Sequence, residues 1–201
     1  PWGKTPPNIS GNTKKLYDSL VEMTSLLLEW IEDNTPLNVQ SKFSEPLKNM
    51  IKDSRTNLLR VIHYPPFLGN EDNNSLRAAA HEDINLITLL MGASAEGLEL
   101  LNKDDEWVPI HVTSDVLVIN VGDMLQRLTN NTMRSTTHRV VNPPVERLHL
   151  PRFSMPFFVH PDESMPLNCL DICISEQNPK SFDDITAGQY LQQRLKEIGL
   201  A

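Results

Sequence analysis

The chain has 201 residues, of which 39% are hydrophobic and 22% are charged, as is usual for a single globular domain. Its net charge of −8 argues against a nucleic-acid-binding protein, and no apolar run approaches the roughly 20 residues that a membrane-spanning helix needs. We therefore expect a cytoplasmic protein whose partner is a small molecule, without nucleic acid or membrane.

Residues 1–56 are predicted to form a helical segment that packs on the core of the fold. Apolar residues between Leu16 and Ile31 recur at helical spacing, with Ser10 or Asn12 as the cap and Asn34-Thr35-Pro36 as the end. A shorter helix is predicted to follow, with Pro46 in its first turn.

Residues 57–161 change to short apolar or alternating runs separated by Pro, Gly, Asn and Asp, which is typical of an all-β sandwich or barrel. The predicted strands are Leu58–His63, Ile84–Leu90, Gly97–Leu101, Trp107–Val112, Val116–Val121, Thr136–Val141, Arg147–Leu150 and Phe153–Val159. The predicted turns are Gly122-Asp123, Asn130-Asn131 and Asn142-Pro143-Pro144, and an exposed loop is predicted at Gly69–Ser75.

Residues 162–201 are predicted to form an extension that ends in a helix from about Thr186 to Ile198. Its inward-facing residues are expected to be Tyr190, Leu191, Leu195 and Ile198. The chain's two cysteines, Cys169 and Cys173, are too few for a metal site or a disulfide framework. We interpret them as buried or partly buried thiols in a reducing compartment, with a local disulfide as the alternative.

The triplet His81-Glu82-Asp83 is the first feature with metal-binding chemistry. Residues two apart in an extended segment point to the same side, so His81 and Asp83 can direct an imidazole and a carboxylate at one ion while Glu82 faces away. Taken alone, the triplet is better explained as a surface histidine beside two acids.

His138, at the start of an alternating apolar strand, is the second feature, because its side chain can point into a barrel. Two imidazoles and one carboxylate on one face of an ion leave three positions free, the arrangement of non-haem Fe(II) oxygenases. Zinc is the chemical competitor, since catalytic zinc sites also accept two histidines and a carboxylate.

Arg152-Phe153-Ser154 follows fourteen residues after His138. Arg152 and Ser154 share a face in a strand, and a guanidinium with a hydroxyl is a good receptor for a carboxylate inside an apolar barrel. An edge-strand arginine in solvent is the alternative. Arg147-Leu148-His149 has a similar spacing five residues earlier. We prefer Arg152 and Ser154 because only they are followed by Pro-Phe-Phe, at 156–158.

The segment from Leu58 to Pro161 resembles the isopenicillin N synthase-like family of Fe(II)/2-oxoglutarate oxygenases. The matching pieces, in family order, are Leu-Arg-Val-Ile-His-Tyr-Pro-Pro, His-Glu-Asp-Ile-Asn-Leu-Ile-Thr-Leu-Leu, Glu-Gly-Leu-Glu-Leu-Leu, Trp-Val-Pro-Ile, Val-Ile-Asn-Val-Gly-Asp-Met-Leu, Thr-His-Arg-Val-Val-Asn and Arg-Phe-Ser-Met-Pro-Phe-Phe. The resemblance implies a double-stranded β-helix, a relative of the jelly roll, with flanking helices. It also implies that the family's N-terminal region is absent from this chain.

The resemblance further implies a set of site residues. His81, Asp83 and His138 would bind Fe(II), Arg152 and Ser154 the distal carboxylate of 2-oxoglutarate, and Tyr64 would hydrogen-bond this cosubstrate. Phe158 and His160 hold positions that touch substrate in some members. Ile62 stands where the family often has Asn, so one polar contact near the cosubstrate is expected to be missing. Glu82 replaces a commoner Thr and, because it faces outward, is expected to be tolerated.

The implied reaction is oxidation of a small organic substrate, by default hydroxylation, using O₂ with release of succinate and CO₂. Ascorbate is a candidate supporting reductant. Two alternatives remain open at this point. One is an Fe(II) oxidase of the same fold that does not use 2-oxoglutarate, and the other is a non-catalytic β-barrel that binds a metal or a small acid.

The remaining polar residues are given ordinary roles. His63, His111 and His149 are expected to lie away from the metal ligands, and Arg139 is expected to form a surface ion pair. Asp123 is interpreted as a turn residue, while Trp107 and Leu98–Leu101 are interpreted as core.

Overall fold

The computed structural model describes residues 8–67, 76–111, 113 and 115–200. The predicted loop at 69–75 and the predicted strand residue Val112 fall outside these ranges. The helices are α1 (Ile9–Asp33), α2 (Leu37–Gln40), α3 (Leu47–Met50), α4 (Asp123–Leu128) and α5 (Ala187–Glu197). Within these ranges, no helix is long and apolar enough to cross a membrane.

In the described part of the chain, nine strands form two antiparallel sheets, as the double-stranded β-helix requires. They are β1 (Leu58–Leu59), β2 (Ile62–Tyr64), β3 (Ala78–His81), β4 (Ile87–Met91), β5 (Leu98–Leu101), β6 (Trp107–Pro109), β7 (Leu117–Val121), β8 (His138–Val140) and β9 (Arg152–Val159). The larger sheet has the order β1-β9-β4-β7, with β2 also paired to β9, and the smaller sheet has the order β3-β8-β5-β6.

Alternation along the strands of the larger sheet separates an outer, helix-covered face from an inner face. On β4, Ile87 and Leu89 are fully buried in the main hydrophobic cluster, whereas the alternating residues Thr88 and Leu90 line a cavity. Because side chains alternate along a strand, one short sequence supplies both a packed core and the wall of a site.

The outer face is covered by the helices, which bury the main core. The ring of Tyr17 from α1 meets the ring of Phe157 from β9 edge to face, with 5.3 Å between centroids. Leu28 of α1 and Leu47 of α3 are fully buried in the same cluster. Helices α1 and α3 thus contribute to the core on this face of the sheet.

Several local predictions are corrected. Helix α1 begins at Ile9 with Asn8 as its cap residue, so neither Ser10 nor Asn12 caps it. The predicted strand at 147–150 is replaced by a 3₁₀ turn at Val145–Arg147 and a bend, which the preceding Pro143-Pro144 favours. Ile198, expected to face inward, is the C-cap of α5 and is half exposed.

Elements that the sequence did not indicate are short. Helix α2 has four residues, and strand β3 reads Ala-Ala-Ala-His without alternation of apolar and polar residues. The predicted turn at Asn130-Asn131 is present, and both residues adopt positive φ angles of 43° and 65°. Asparagine tolerates this left-handed region better than most residues.

Candidate active site

Three side chains from two strands and the following loop meet in the cavity between the sheets. Ligand atoms of His81, Asp83 and His138 all lie within 4.8 Å of one another. The Nε2 atoms of the two histidines lie 4.0 and 3.8 Å from Oδ1 of Asp83. Strand pairing explains the meeting, since His81 on β3 is the register partner of His138 on β8.

Both imidazoles are oriented by backbone carbonyl groups. Nδ1 of His81 lies 2.7 Å from the carbonyl oxygen of Ala79, and Nδ1 of His138 lies 2.9 Å from that of Thr136. A neutral imidazole that donates from Nδ1 presents an unprotonated Nε2. Each histidine therefore directs its free nitrogen at the shared centre, the arrangement that metal-binding histidines normally adopt.

The two oxygens of the Asp83 carboxylate have different partners. Its Oδ2 accepts hydrogen bonds from Thr88 Oγ1 at 2.6 Å and from Asn120 Nδ2 at 2.9 Å. Asn85 donates in turn to Thr88 Oγ1 at 2.8 Å. Because these bonds fix Oδ2, the carboxylate presents Oδ1 to the two imidazoles.

The loop that carries Asp83 is also fixed by its backbone. The amide of Asp123 donates to the carbonyl of Asp83 at 2.7 Å, and the amide of Gly122 donates to that of Leu86 at 2.9 Å. A Cβ atom on Gly122 would lie 2.3 Å from the carbonyl oxygen of Asn85, so only glycine permits this approach. The contact between the start of α4 and the 83–86 loop therefore depends on Gly122.

Asp123 is not the turn residue that the sequence suggested. It begins α4, is buried, and accepts a hydrogen bond from the Tyr190 hydroxyl at 3.0 Å. Burial, together with the neighbouring Glu82 carboxyl, raises the pKa of Asp123 to about 6. Glu82 itself lies outside the cavity lining and accepts from Thr137 Oγ1, in agreement with its predicted outward orientation.

Arg152 is 2% exposed and lines the same cavity. Its Nε donates to the carbonyl of Ala95 at 3.0 Å, while its Nη1 is buried without a hydrogen-bond partner. Burial lowers the pKa of this guanidinium. A buried cation with a free donor is costly unless an anion completes it, so the geometry favours an acidic ligand at this point.

Tyr64 and Ser154 stand beside Arg152 as the register of β2 and β9 dictates. Tyr64 is the partner of Arg152 and Ile62 is the partner of Ser154. The Tyr64 ring centroid lies 5.1 Å from Cζ of Arg152. All three of the side chains assigned to the cosubstrate thus face one wall of the cavity that contains the metal ligands.

The cavity has a volume of about 290 Å³. Phe158, one of two residues expected to touch substrate, lines it, whereas His160 is buried outside the lining residues. Burial lowers the pKa of His160 to about 4. A substrate contact stays a prediction for both residues, and the geometry favours Phe158.

Most of the ordinary roles given to other polar residues agree with the structure. His63 stacks on Phe153 with 4.7 Å between ring centroids, and His111 pairs with Glu96, both outside the metal-ligand cluster. Arg139 forms an ion pair with Glu99 at 2.7 Å and lies over the ring of Trp107. Trp107 is therefore half-buried under a guanidinium and is not part of the core.

The sequence analysis missed Thr88 and Asn120, the two residues whose side chains orient Asp83. Each is a polar residue within an otherwise apolar strand, Ile-Thr-Leu-Leu-Met and Leu-Val-Ile-Asn-Val. A polar residue that lies an even number of positions from a cavity-facing residue on the same strand shares its face. This pattern could have identified Thr88 and Asn120 from the sequence.

The model of the 2OG-Fe(II) oxygenase superfamily matches residues 55–161. A solved structure of a protein described as an oxygenase, from Shewanella oneidensis, is 41% identical, with a TM-score of 0.80 over 100% of this chain and 70% of that one. A structure of JOX2 in complex with 2OG, Fe and JA is 25% identical, with a TM-score of 0.75 over 97% of this chain and 54% of that one.

Gibberellin 2-beta-dioxygenase 3 of Arabidopsis thaliana is 29% identical over 189 residues, which are 92% of this chain and 53% of that protein. Across eight curated relatives, the chain spans between 42% and 62% of the relative's length. The family match includes every residue that lines the cavity described above. The chain belongs to the 2OG-Fe(II) oxygenase superfamily.

Proposed function

We propose that this chain is the catalytic portion of an Fe(II)- and 2-oxoglutarate-dependent dioxygenase that oxidises, by default hydroxylates, a small organic substrate. The observation that carries the proposal is the juxtaposition of two halves of a site in one cavity. One is the His81, Asp83 and His138 cluster, and the other is the buried Arg152 with a free donor.

The donor set fits the proposed metal. Two imidazole nitrogens and one carboxylate oxygen are the ligand set of non-haem Fe(II) oxygenases, with positions left open for a cosubstrate and O₂. When bound, Fe(II) and 2-oxoglutarate supply the oxidation of the substrate by O₂, with release of succinate and CO₂.

The protein's own contribution is position and charge. Ala79 and Thr136 hold the two imidazoles by their Nδ1 atoms, and Thr88 and Asn120 hold one oxygen of Asp83. Arg152 and Ser154 would bind the distal carboxylate of 2-oxoglutarate, with Tyr64 as a further hydrogen-bond donor. Apolar residues such as Leu98 and Phe158 complete the wall and restrict water.

The remaining parts of the proposal concern the surroundings of the site. A small-molecule substrate fits a cavity of about 290 Å³, and a reducing, cytoplasmic environment is supported by the two buried free thiols, Cys169 and Cys173. We also propose the organisation predicted from the sequence, with residues 57–161 as the catalytic core between a helical segment and a C-terminal extension.

Succinate release tests this function directly. We expect release that depends on both Fe(II) and 2-oxoglutarate, and we expect His81→Ala to abolish it because one of three metal ligands is lost. His111→Ala is the matched control, since His111 is an exposed histidine outside the cluster. Activity that survives in His81→Ala would refute the ligand assignment, and turnover without 2-oxoglutarate would favour an oxidase of the same fold.

A further inference from the structure

A second guanidinium lines the active cavity, from a residue that the proposed chemistry does not use. Arg77 precedes β3 and contributes to the same wall as Ala78 and His81. Its Nη2 donates to the carbonyl of Leu150 at 3.0 Å, while its Nε is buried without a hydrogen-bond partner. One N–H group of the guanidinium thus holds Arg77 in place, while its other N–H donors include at least one, at Nε, that has no partner.

No carboxylate among the described residues neutralises this group. The ion pairs of the described part of the chain involve neither Arg77 nor Arg60, a third arginine that lines the cavity from the short segment between β1 and β2. Arg77 is also close enough to Arg152 that its charge helps lower the pKa of Arg152. Like charges that approach each other in a cavity favour binding of an anion.

The charges of the cavity remain positive after the proposed cofactors are considered. Asp83 is the single carboxylate among its described lining residues, which include three arginines. Fe(II) adds two positive charges and 2-oxoglutarate two negative ones, so the lining retains a formal surplus of two positive charges, one of which is carried by the solvent-exposed Arg60. A neutral substrate would leave this surplus uncompensated, whereas an anionic substrate would reduce it.

We propose that the substrate is a small organic anion and that Arg77, with Arg60 as a supporting charge, binds its negatively charged group. The inference rests on the proposed function, because it concerns the substrate of the same cavity. Arg152 keeps the cosubstrate, since it is the more deeply buried guanidinium and lies beside Tyr64 and Ser154. Arg77 also lines an adjoining cavity of about 740 Å³.

Two other roles for Arg77 have to be distinguished. The residue could share the distal carboxylate of 2-oxoglutarate with Arg152, or it could serve only to hold the Leu150 carbonyl. In the first case its removal weakens cosubstrate binding, and in the second it lowers stability without selectivity for any ligand class.

The test measures binding of matched probes to the chain loaded with Zn(II), which accepts the same ligands and does not turn over. The probes are pairs of a small carboxylic acid and its primary amide, such as phenylacetate with phenylacetamide and hexanoate with hexanamide. Phosphate monoesters of similar size form a third group. Binding of the probes, with and without saturating 2-oxoglutarate, and of 2-oxoglutarate itself is followed by ligand-observed NMR in wild type, Arg77→Gln, Arg77→Lys, Arg152→Gln and Arg147→Gln.

We expect wild type to prefer acids over their amides, and Arg77→Gln to lose about tenfold of that preference, because one charge-assisted hydrogen bond is removed. Arg77→Lys should keep part of the preference, since it keeps the charge. Arg147→Gln should behave as wild type, because Arg147 lines only the adjoining cavity. A stronger preference for phosphate esters would support the inference and identify the anionic group as a phosphoryl group.

The inference is overturned if no pair shows a preference for the acid, or if the preference survives unchanged in Arg77→Gln. It is also overturned if Arg77→Gln weakens 2-oxoglutarate binding as much as Arg152→Gln does. The proposed function fails by a separate result, the absence of 2-oxoglutarate binding in wild type, and the acid and amide pairs measured without 2-oxoglutarate still decide the role of Arg77.

Discussion

The two faces of the larger sheet are built from the same strands but serve opposite purposes. On β9, Phe157 and Val159 are fully buried against the helices, whereas Arg152 and Ser154 are buried toward the cavity. The outer face gains free energy from apolar burial. The inner face offsets part of that gain, because it holds the buried guanidinium of Arg152 with an unpartnered donor. On β9, the odd-numbered residues therefore serve mainly stability, and the even-numbered residues serve the chemistry of the cavity.

The largest expected effect is on the outer face. Phe157→Ala should lower the free energy of unfolding by about 3 to 5 kcal/mol, because it leaves a cavity in the core where Tyr17 packs on the ring. Chemical denaturation measures this change. Phe153→Ala is the matched control, since Phe153 lies on the same strand and is 47% exposed, and it should cost about 1 kcal/mol. Equal losses in the two variants would contradict the separation of the faces.

A second effect concerns pH and His160, which follows β9 directly. Burial lowers its pKa from 6.5 to about 4, so the folded protein keeps this imidazole neutral while the unfolded chain protonates it. His160 therefore does not reduce the free energy of unfolding above pH 6.5, and it reduces that free energy increasingly as the pH falls from 6.5 towards 4. We expect wild type to lose about 3 kcal/mol more than His160→Asn over that window.

Denaturation of both proteins at several pH values checks this expectation. The comparison isolates His160, because Asp123, with a pKa near 6, titrates in the same window in both proteins and its contribution cancels. Parallel curves for the two proteins would show that His160 becomes protonated as readily in the folded state as in the unfolded chain.

The smallest expected effect on the free energy of unfolding is that of Thr88→Val, on the inner face. This variant should change metal affinity much more than stability. Thr88→Val keeps the shape of the side chain but removes the donor to Asp83 Oδ2, so one restraint on the carboxylate is lost. We expect metal affinity to fall about 10- to 100-fold, with much of the unfolding free energy retained. Calorimetric titration with Zn(II) measures the first and denaturation the second.

A variant on the outer side of the same strand serves as the control. Leu89→Ala should lower stability by about 2 to 5 kcal/mol while leaving metal affinity near that of wild type, because Leu89 packs in the core. If Thr88→Val bound metal as tightly as wild type, the hydrogen bond to Asp83 would have no part in positioning the ligand.

The sequence predicted most of the fold and the principal side chains of the cavity because each carries a local pattern. The His81 and Asp83 spacing, the strand start at His138 and the Arg152 and Ser154 spacing are all expressed by residues close to one another in sequence. The outer and inner faces of β4 and β9 follow from alternation.

The remainder depends on contacts between distant residues. Gly122-Asp123 has the composition of a turn, and only the approach of the 83–86 loop makes it the start of a helix. Tyr190 contacts Asp123 across 67 positions, and Asn120 contacts Asp83 across 37. Arg77 has no motif of its own, and its place in the cavity emerges only when β3 pairs with β8.

The two-sided use of β9 limits how this protein can tolerate length changes. A single residue inserted between Ser154 and Phe157 would either bulge out locally or invert the parity of one half of the strand. Inversion of the C-terminal half would turn the ring of Phe157 toward the cavity, whereas inversion of the N-terminal half would turn the guanidinium of Arg152 toward the helices. Insertional scanning of this family should therefore find an intolerant stretch here, whereas point changes at single positions disable folding or catalysis one at a time.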